Sequence, residues 1–133
     1  MANALYDNAR NLYLNAGLNW GTDTMKVVLL DSTYTVNLAT HTMLSNLTGT
    51  VATSSALTGQ TSTSGIAEAS NVTFSTVASG STVQYMAIYK DTGTASTSPL
   101  IAFIDTATGL PVLTNGGNIT IAWDTGANKI FKL

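Results

Sequence analysis

"TVQYMAIYK", residues 82–90, carries apolar side chains at both odd and even positions. Successive side chains of a strand point to opposite faces of its sheet. A strand that is apolar on both faces is covered on both, which places this one at the centre of a β structure. Two further short runs also read as strands: "MKVVLLD" from Met25, which is rich in branched apolar residues, and "LIAFID" from Leu100. "NITIAWD", residues 118–124, differs. Its Ile119, Ile121 and Trp123 share one face while Thr120, Ala122 and Asp124 share the other, so it reads as a half-buried strand with Trp123 in the core.

Around these runs, strands are expected over 50–57, 61–69, 71–77 and 129–133, with most of the glycines falling between or beside them. About eight short strands with closely spaced turns predict a mainly β domain, a β-sandwich or jelly roll. The N-terminus reads differently. Leu5, Ala9, Leu12 and Tyr13 fall on one helical face, Asn3 is placed to cap the start and Gly17 the end, so residues 1–16 are expected to form a helical segment. Residues 17–133 are then a single β-rich domain. Residues 38–47, "LATHTMLSNL", predict a helical turn or two within a long connection.

The chain has 133 residues, enough for one domain with a real core. Only 9% of them are charged, against about 25% in an ordinary domain. Ser, Thr, Asn and Gly must therefore make a polar, nearly uncharged surface. A net charge of −2, with Arg10, Lys26, Lys90, Lys129 and Lys132 scattered along the chain, argues against nucleic acid as a partner. There is no cysteine, hence no disulfide or thiolate metal site. The first residues lack the pattern of a signal peptide, and no apolar run approaches the roughly 18 residues that would span a bilayer, so no membrane association is expected. The Asn-x-Thr sequons at Asn46, Asn71 and Asn118 are read as accidents of composition.

Four of the seven acidic residues, Asp31, Asp91, Asp105 and Asp124, each follow an apolar run and precede Ser or Thr. An aspartate at the start of a turn accepts a hydrogen bond from the backbone N–H two residues on, which accounts for all four without a ligand. The rival is a calcium site, but each loop offers one acid where a dedicated calcium loop alternates several. His41 is the single histidine, too few for a histidine-rich metal site, and Glu68 is the single glutamate, so two-carboxylate glycosidase chemistry would need aspartate partners that already have turn roles. A Ser-His-Asp triad lacks its Gly-x-Ser-x-Gly elbow, and "NGGN" at 115–118 reads as a hairpin turn, not a phosphate loop. Trp20, Trp123 and the five tyrosines could line a sugar or base platform; Trp20, beside Asn19 and Gly21, could instead cover a sheet edge. No catalytic, metal or cofactor site is assigned.

Three stretches carry a resemblance: "NAGLNWGTDTMKVVLLDSTYTVNLATHTMLSNL", then "YKDTGTASTSPLIAFIDTATGLPV", then "NGGNITIAWDTGANKIFKL". Their order resembles a family of small virion structural proteins of tailed bacteriophages and prophages, with "SPLIAFIDTATGLPV" and "WDTGANKIFKL" the most specific pieces. The likeness is weakest across 48–81. It implies a head decoration, or cement, protein on the virion head surface, assembled in the host cytoplasm, with itself (as a homotrimer) and the major capsid protein as partners. The alternative it leaves open is a tail, baseplate or fibre component that recognises host surface glycans. The apolar stripe of the N-terminal segment either covers an edge of its own sandwich or packs on a partner. The second reading takes Leu5, Leu12 and Tyr13 as contacts with Tyr6 and Arg10 at the rim.

Overall fold

The computed structural model describes residues 4–105, 111–123 and 130–132. Asn3 and Asp124, named above as cap and turn residues, lie outside the described residues, as do the glycines at 109 and 126 and most of "WDTGANKIFKL". The fold is mainly β, antiparallel and sandwich-like, with one α-helix near the N-terminus.

Its largest sheet has five strands, in the order β1 (Ala4–Leu5), β9 (Leu100–Ile104), β8 (Tyr85–Lys90), β2 (Met25–Leu30), β3 (Thr50–Thr53). The strand read as central is central: β8 lies between β9 and β2, pairing Met86 with Ile104 and Val28 with Ala87. Its inner residues, and nearly all of β2 and β9, are buried on both faces. Branched and aromatic side chains suit such a pleated, doubly covered surface. One face carries Val28, Leu30, Tyr85, Ala87 and Phe103, and Tyr34 of the long 31–47 connection lies over it, 6.0 Å from the Phe103 ring. That connection contains a single 3₁₀ turn (Leu44–Asn46), in line with the short helical piece expected there.

The remaining strands form small sheets: β4 (Thr61–Thr63) and β5 (Ile66–Glu68) with β12 (Phe131–Lys132), β6 (Val72–Phe74) with β11 (Ile119–Ile121), and β7 (Thr82–Val83) with β10 (Val112–Leu113). Their inward residues, among them Ala67, Val72, Phe74, Val83 and Ile121, join one hydrophobic core with the large sheet. The pairs are nested: β8 with β9, β7 with β10, β6 with β11, β5 with β12. Strands β5 to β8 and β9 to β12 thus run side by side as one interrupted antiparallel ribbon. A jelly roll is wound from such a ribbon. Here β1 lies beside β9 and β2 beside β8, with β3 beyond β2, so the large sheet extends the tip of that ribbon on both sides.

Several expected boundaries move. Residues 61–69 are a hairpin and not one strand, because Ser64 and Gly65 both take positive φ (53° and 78°), the two-residue turn that matches the twist of flanking strands. Residues 82–90 divide at Gln84, whose N–H goes to Leu30 instead. "NGGN" joins β10 to β11, which pair with different strands, so it is a connection and not a hairpin turn.

The N-terminal segment is corrected most. The helix, α1, spans Asp7–Leu14 and not 1–16, and Ala4–Leu5 ahead of it is an edge strand on β9. Asp7 in the first turn complements the helix dipole. The end is a Schellman closure, in which the Gly17 N–H donates to the Leu12 carbonyl at 2.7 Å and Ala16 takes the left-handed conformation at φ 60°.

Candidate binding cleft

The residues proposed from sequence as assembly contacts do not form one exposed surface. Leu5 and Tyr6 are buried within their own chain, and Leu12 and Tyr13 are half-buried against its core. Tyr6, expected at a rim, is 0% exposed: its N–H bonds Ile101 of β9 and its hydroxyl points into the core. Only Arg10 stands in solvent, 3.7 Å from Asp7. The stripe covers an edge of its own sheet.

The Tyr6 hydroxyl begins a chain that periodicity could not reveal. It bonds the Tyr34 hydroxyl at 2.8 Å, which bonds His41 Nδ1 at 2.8 Å. Every group is satisfied when Tyr6 donates to Tyr34 and Tyr34 donates to the imidazole. Burial, the larger cause, raises the pKa of both phenols, so both remain neutral hydroxyls. His41 therefore faces a tyrosine where a triad would need a carboxylate. Among the described residues no group of three or more His, Asp or Glu gathers to hold a metal.

Asp31 and Asp91 close turns as their positions suggested. Asp31 Oδ1 accepts from the Thr33 N–H at 2.9 Å and from its hydroxyl, and Asp91 Oδ1 accepts from the Gly93 N–H at 3.0 Å. Both carboxyls are held below their ordinary pKa, Asp31 first by the Thr33 hydroxyl and Asp91 first by Lys26 at 2.9 Å. Lys90 reaches Asp23 at 3.3 Å across the same two strands, so β2 and β8 are tied at one end by two crossed ion pairs. Gly49 packs on the Asp31 turn with φ +67, and a Cβ there would overlap Asp31 Oδ1 and Thr33 Oγ1. These polar groups serve the fold.

A concave site does exist where α1 meets the small sheets. Its volume is about 260 Å³, and its walls are Tyr13, Leu18, Trp20, Ala67 and Phe131, with Asn19 and Ser62 supplying polar atoms. Trp20 is fixed rather than free: its indole N–H donates to the Glu68 carbonyl at 3.0 Å, and the Gln60 amide donates to the Trp20 carbonyl at 2.6 Å. Phe131 meets Trp20 edge-on at 5.2 Å and lies 6.3 Å from Tyr13. The Tyr13 hydroxyl is buried and has no hydrogen-bond partner among the described residues. Burial first, and the charge of Asp23 second, push its pKa up and keep it neutral. Such a cleft can hold one ring or one apolar side chain. Trp123 packs half-buried on the core, with its indole N–H donating to the Ser70 carbonyl at 3.0 Å.

No known protein family model matches the chain, and no curated protein matches it.

Proposed function

We propose that the chain is a non-enzymatic structural protein of a tailed-bacteriophage virion, a head decoration protein that binds the major capsid protein lattice as a homotrimer. The observation that carries this reading is the likeness in "SPLIAFIDTATGLPV" and "WDTGANKIFKL" to small virion proteins. The architecture suits the role. A sandwich whose main sheet is covered on both faces is a rigid body, and its charged side chains at Asp31, Asp91, Lys26 and Lys90 are engaged in turns and ion pairs. A protein that binds only the expanded shell stabilises that form by mass action, and a symmetric oligomer multiplies weak contacts. With Tyr6 and Leu5 buried, the part of the N-terminal segment left for a partner, among the described residues, is the outer face of α1, with Arg10, Asn11 and the 84% exposed Leu14.

The aromatic cleft favours a second reading, a tail, baseplate or fibre protein that takes a sugar ring against Tyr13 and Phe131. Counting copies in purified particles separates the two. A copy number comparable to that of the capsid protein is expected for decoration, and a number limited to one tail or baseplate supports the second reading. Absence of the protein from purified particles overturns both.

A further inference from the structure

Asn115 stands in the chain's single Asn-Gly pair, on the exposed connection between β10 and β11. Gly116 and Gly117 follow it, all three residues are exposed, and a Cβ built on Gly116 would meet nothing within 4 Å. The space beside the Gly116 Cα, one bond from the nitrogen that follows Asn115, is therefore open. The Asn115 side chain is not free to turn away from it: its Oδ1 accepts the Gly117 N–H at 2.9 Å, which folds the side-chain amide back over its own main chain. That N–H donates to the oxygen on which negative charge would develop if Cγ were attacked, the role an oxyanion-hole donor plays in acyl transfer.

We propose that Asn115 is a site of spontaneous deamidation, with the Gly116 backbone nitrogen as the intramolecular nucleophile. The Gly116 nitrogen gives its proton to water and attacks Cγ, forming a C–N bond and an oxyanion at Oδ1 held by the Gly117 N–H. Collapse breaks the bond from Cγ to Nδ2, which leaves as ammonia with a proton from solvent, and a five-membered cyclic imide remains. Water then opens the imide at either carbonyl, giving aspartate or isoaspartate at position 115. The net change is amide plus water to carboxylic acid plus ammonia, and no oxidant or cofactor takes part. The change adds one negative charge to a surface with few. An isoaspartate also lengthens the main chain beside Gly117 and Asn118, which accept the Val77 and Thr76 N–H groups and hold β11 against β6.

The test is to age the folded protein in mildly alkaline ¹⁸O-labelled water and map peptides by mass spectrometry. Conversion at Asn115 is expected to run at least about tenfold faster than at the exposed Asn46 and Asn71, with the label in both product isomers. The urea-unfolded protein supplies the control, and the folded rate is expected to equal or exceed the unfolded one. Replacing Gly117 with proline removes the donor; if that variant is folded by circular dichroism, its conversion should slow several-fold, and if it is not, the folded-to-unfolded comparison decides alone. A folded rate about tenfold or more below the unfolded rate, or conversion at Asn115 no faster than at Asn46, overturns the proposal.

Discussion

Ala16 occupies a backbone conformation that suits glycine. Its φ of 60° costs an L-residue roughly 1–2 kcal/mol, part of which glycine would return to the more flexible unfolded chain. Ala16→Gly should therefore stabilise the protein by ~0.5–1 kcal/mol, read as a higher urea midpoint at unchanged slope. Tyr34 presents a sharper case, because its hydroxyl is the middle of a three-group chain. Tyr34→Phe strands the buried Tyr6 hydroxyl and should cost about 1–3 kcal/mol. Tyr6→Phe leaves the bond from Tyr34 to His41 intact and should cost less. Equal losses for the two variants in chemical denaturation would mean that the middle position carries no special weight.

At the scale of elements, α1 and β1 act as one piece of the sandwich. Leu5 continues the large sheet, Tyr6 and Ala9 are fully buried, and Leu12 closes onto Gly17. Burying one large side chain is worth roughly 1.5–3 kcal/mol, so deleting residues 1–14 should remove at least ~3 kcal/mol of stability. Circular dichroism during urea titration of the truncated chain checks this. A truncation as stable as the full chain, but unable to oligomerise, would return the segment to a purely assembling role. The helix pattern in the sequence was real, but Leu5 belongs to it by spacing only. Helical periodicity cannot tell an eight-residue helix from a longer one when the preceding residues are claimed by the edge of a neighbouring strand.

For the whole molecule, the phenols set an alkaline limit. Tyr6, Tyr13, Tyr34 and Tyr89 all have pKa values raised in the folded state, each mainly by burial. A raised folded pKa means that the unfolded chain loses these protons first. Their contribution to stability is complete below the ordinary tyrosine value of about 10 and falls as pH rises beyond it. Unfolding above about pH 10 should therefore coincide with a cooperative rise in tyrosinate absorbance. A gradual rise with native circular dichroism retained would show that the phenols ionise in place.

The sequence by itself determined the class of fold, the centrality of β8 and the turn roles of Asp31 and Asp91. Each depends on local rules: alternation along a strand, apolar residues on both faces, and a carboxylate two residues from an N–H. Nothing local could assign the partners of the short strands. Two-residue strands such as β7, β10 and β12 carry too little periodicity to announce themselves, and their nested pairing joins residues as distant as Ala67 and Phe131. The cleft shares that origin, since Tyr13, Trp20, Ser62 and Phe131 belong to four segments that meet only when the ribbon folds against the helix. The burial of Tyr6 followed the same rule. Its neighbours on β9 and the 31–47 connection come from afar in the chain, and only their packing turned an apparent rim residue into the core partner of Tyr34.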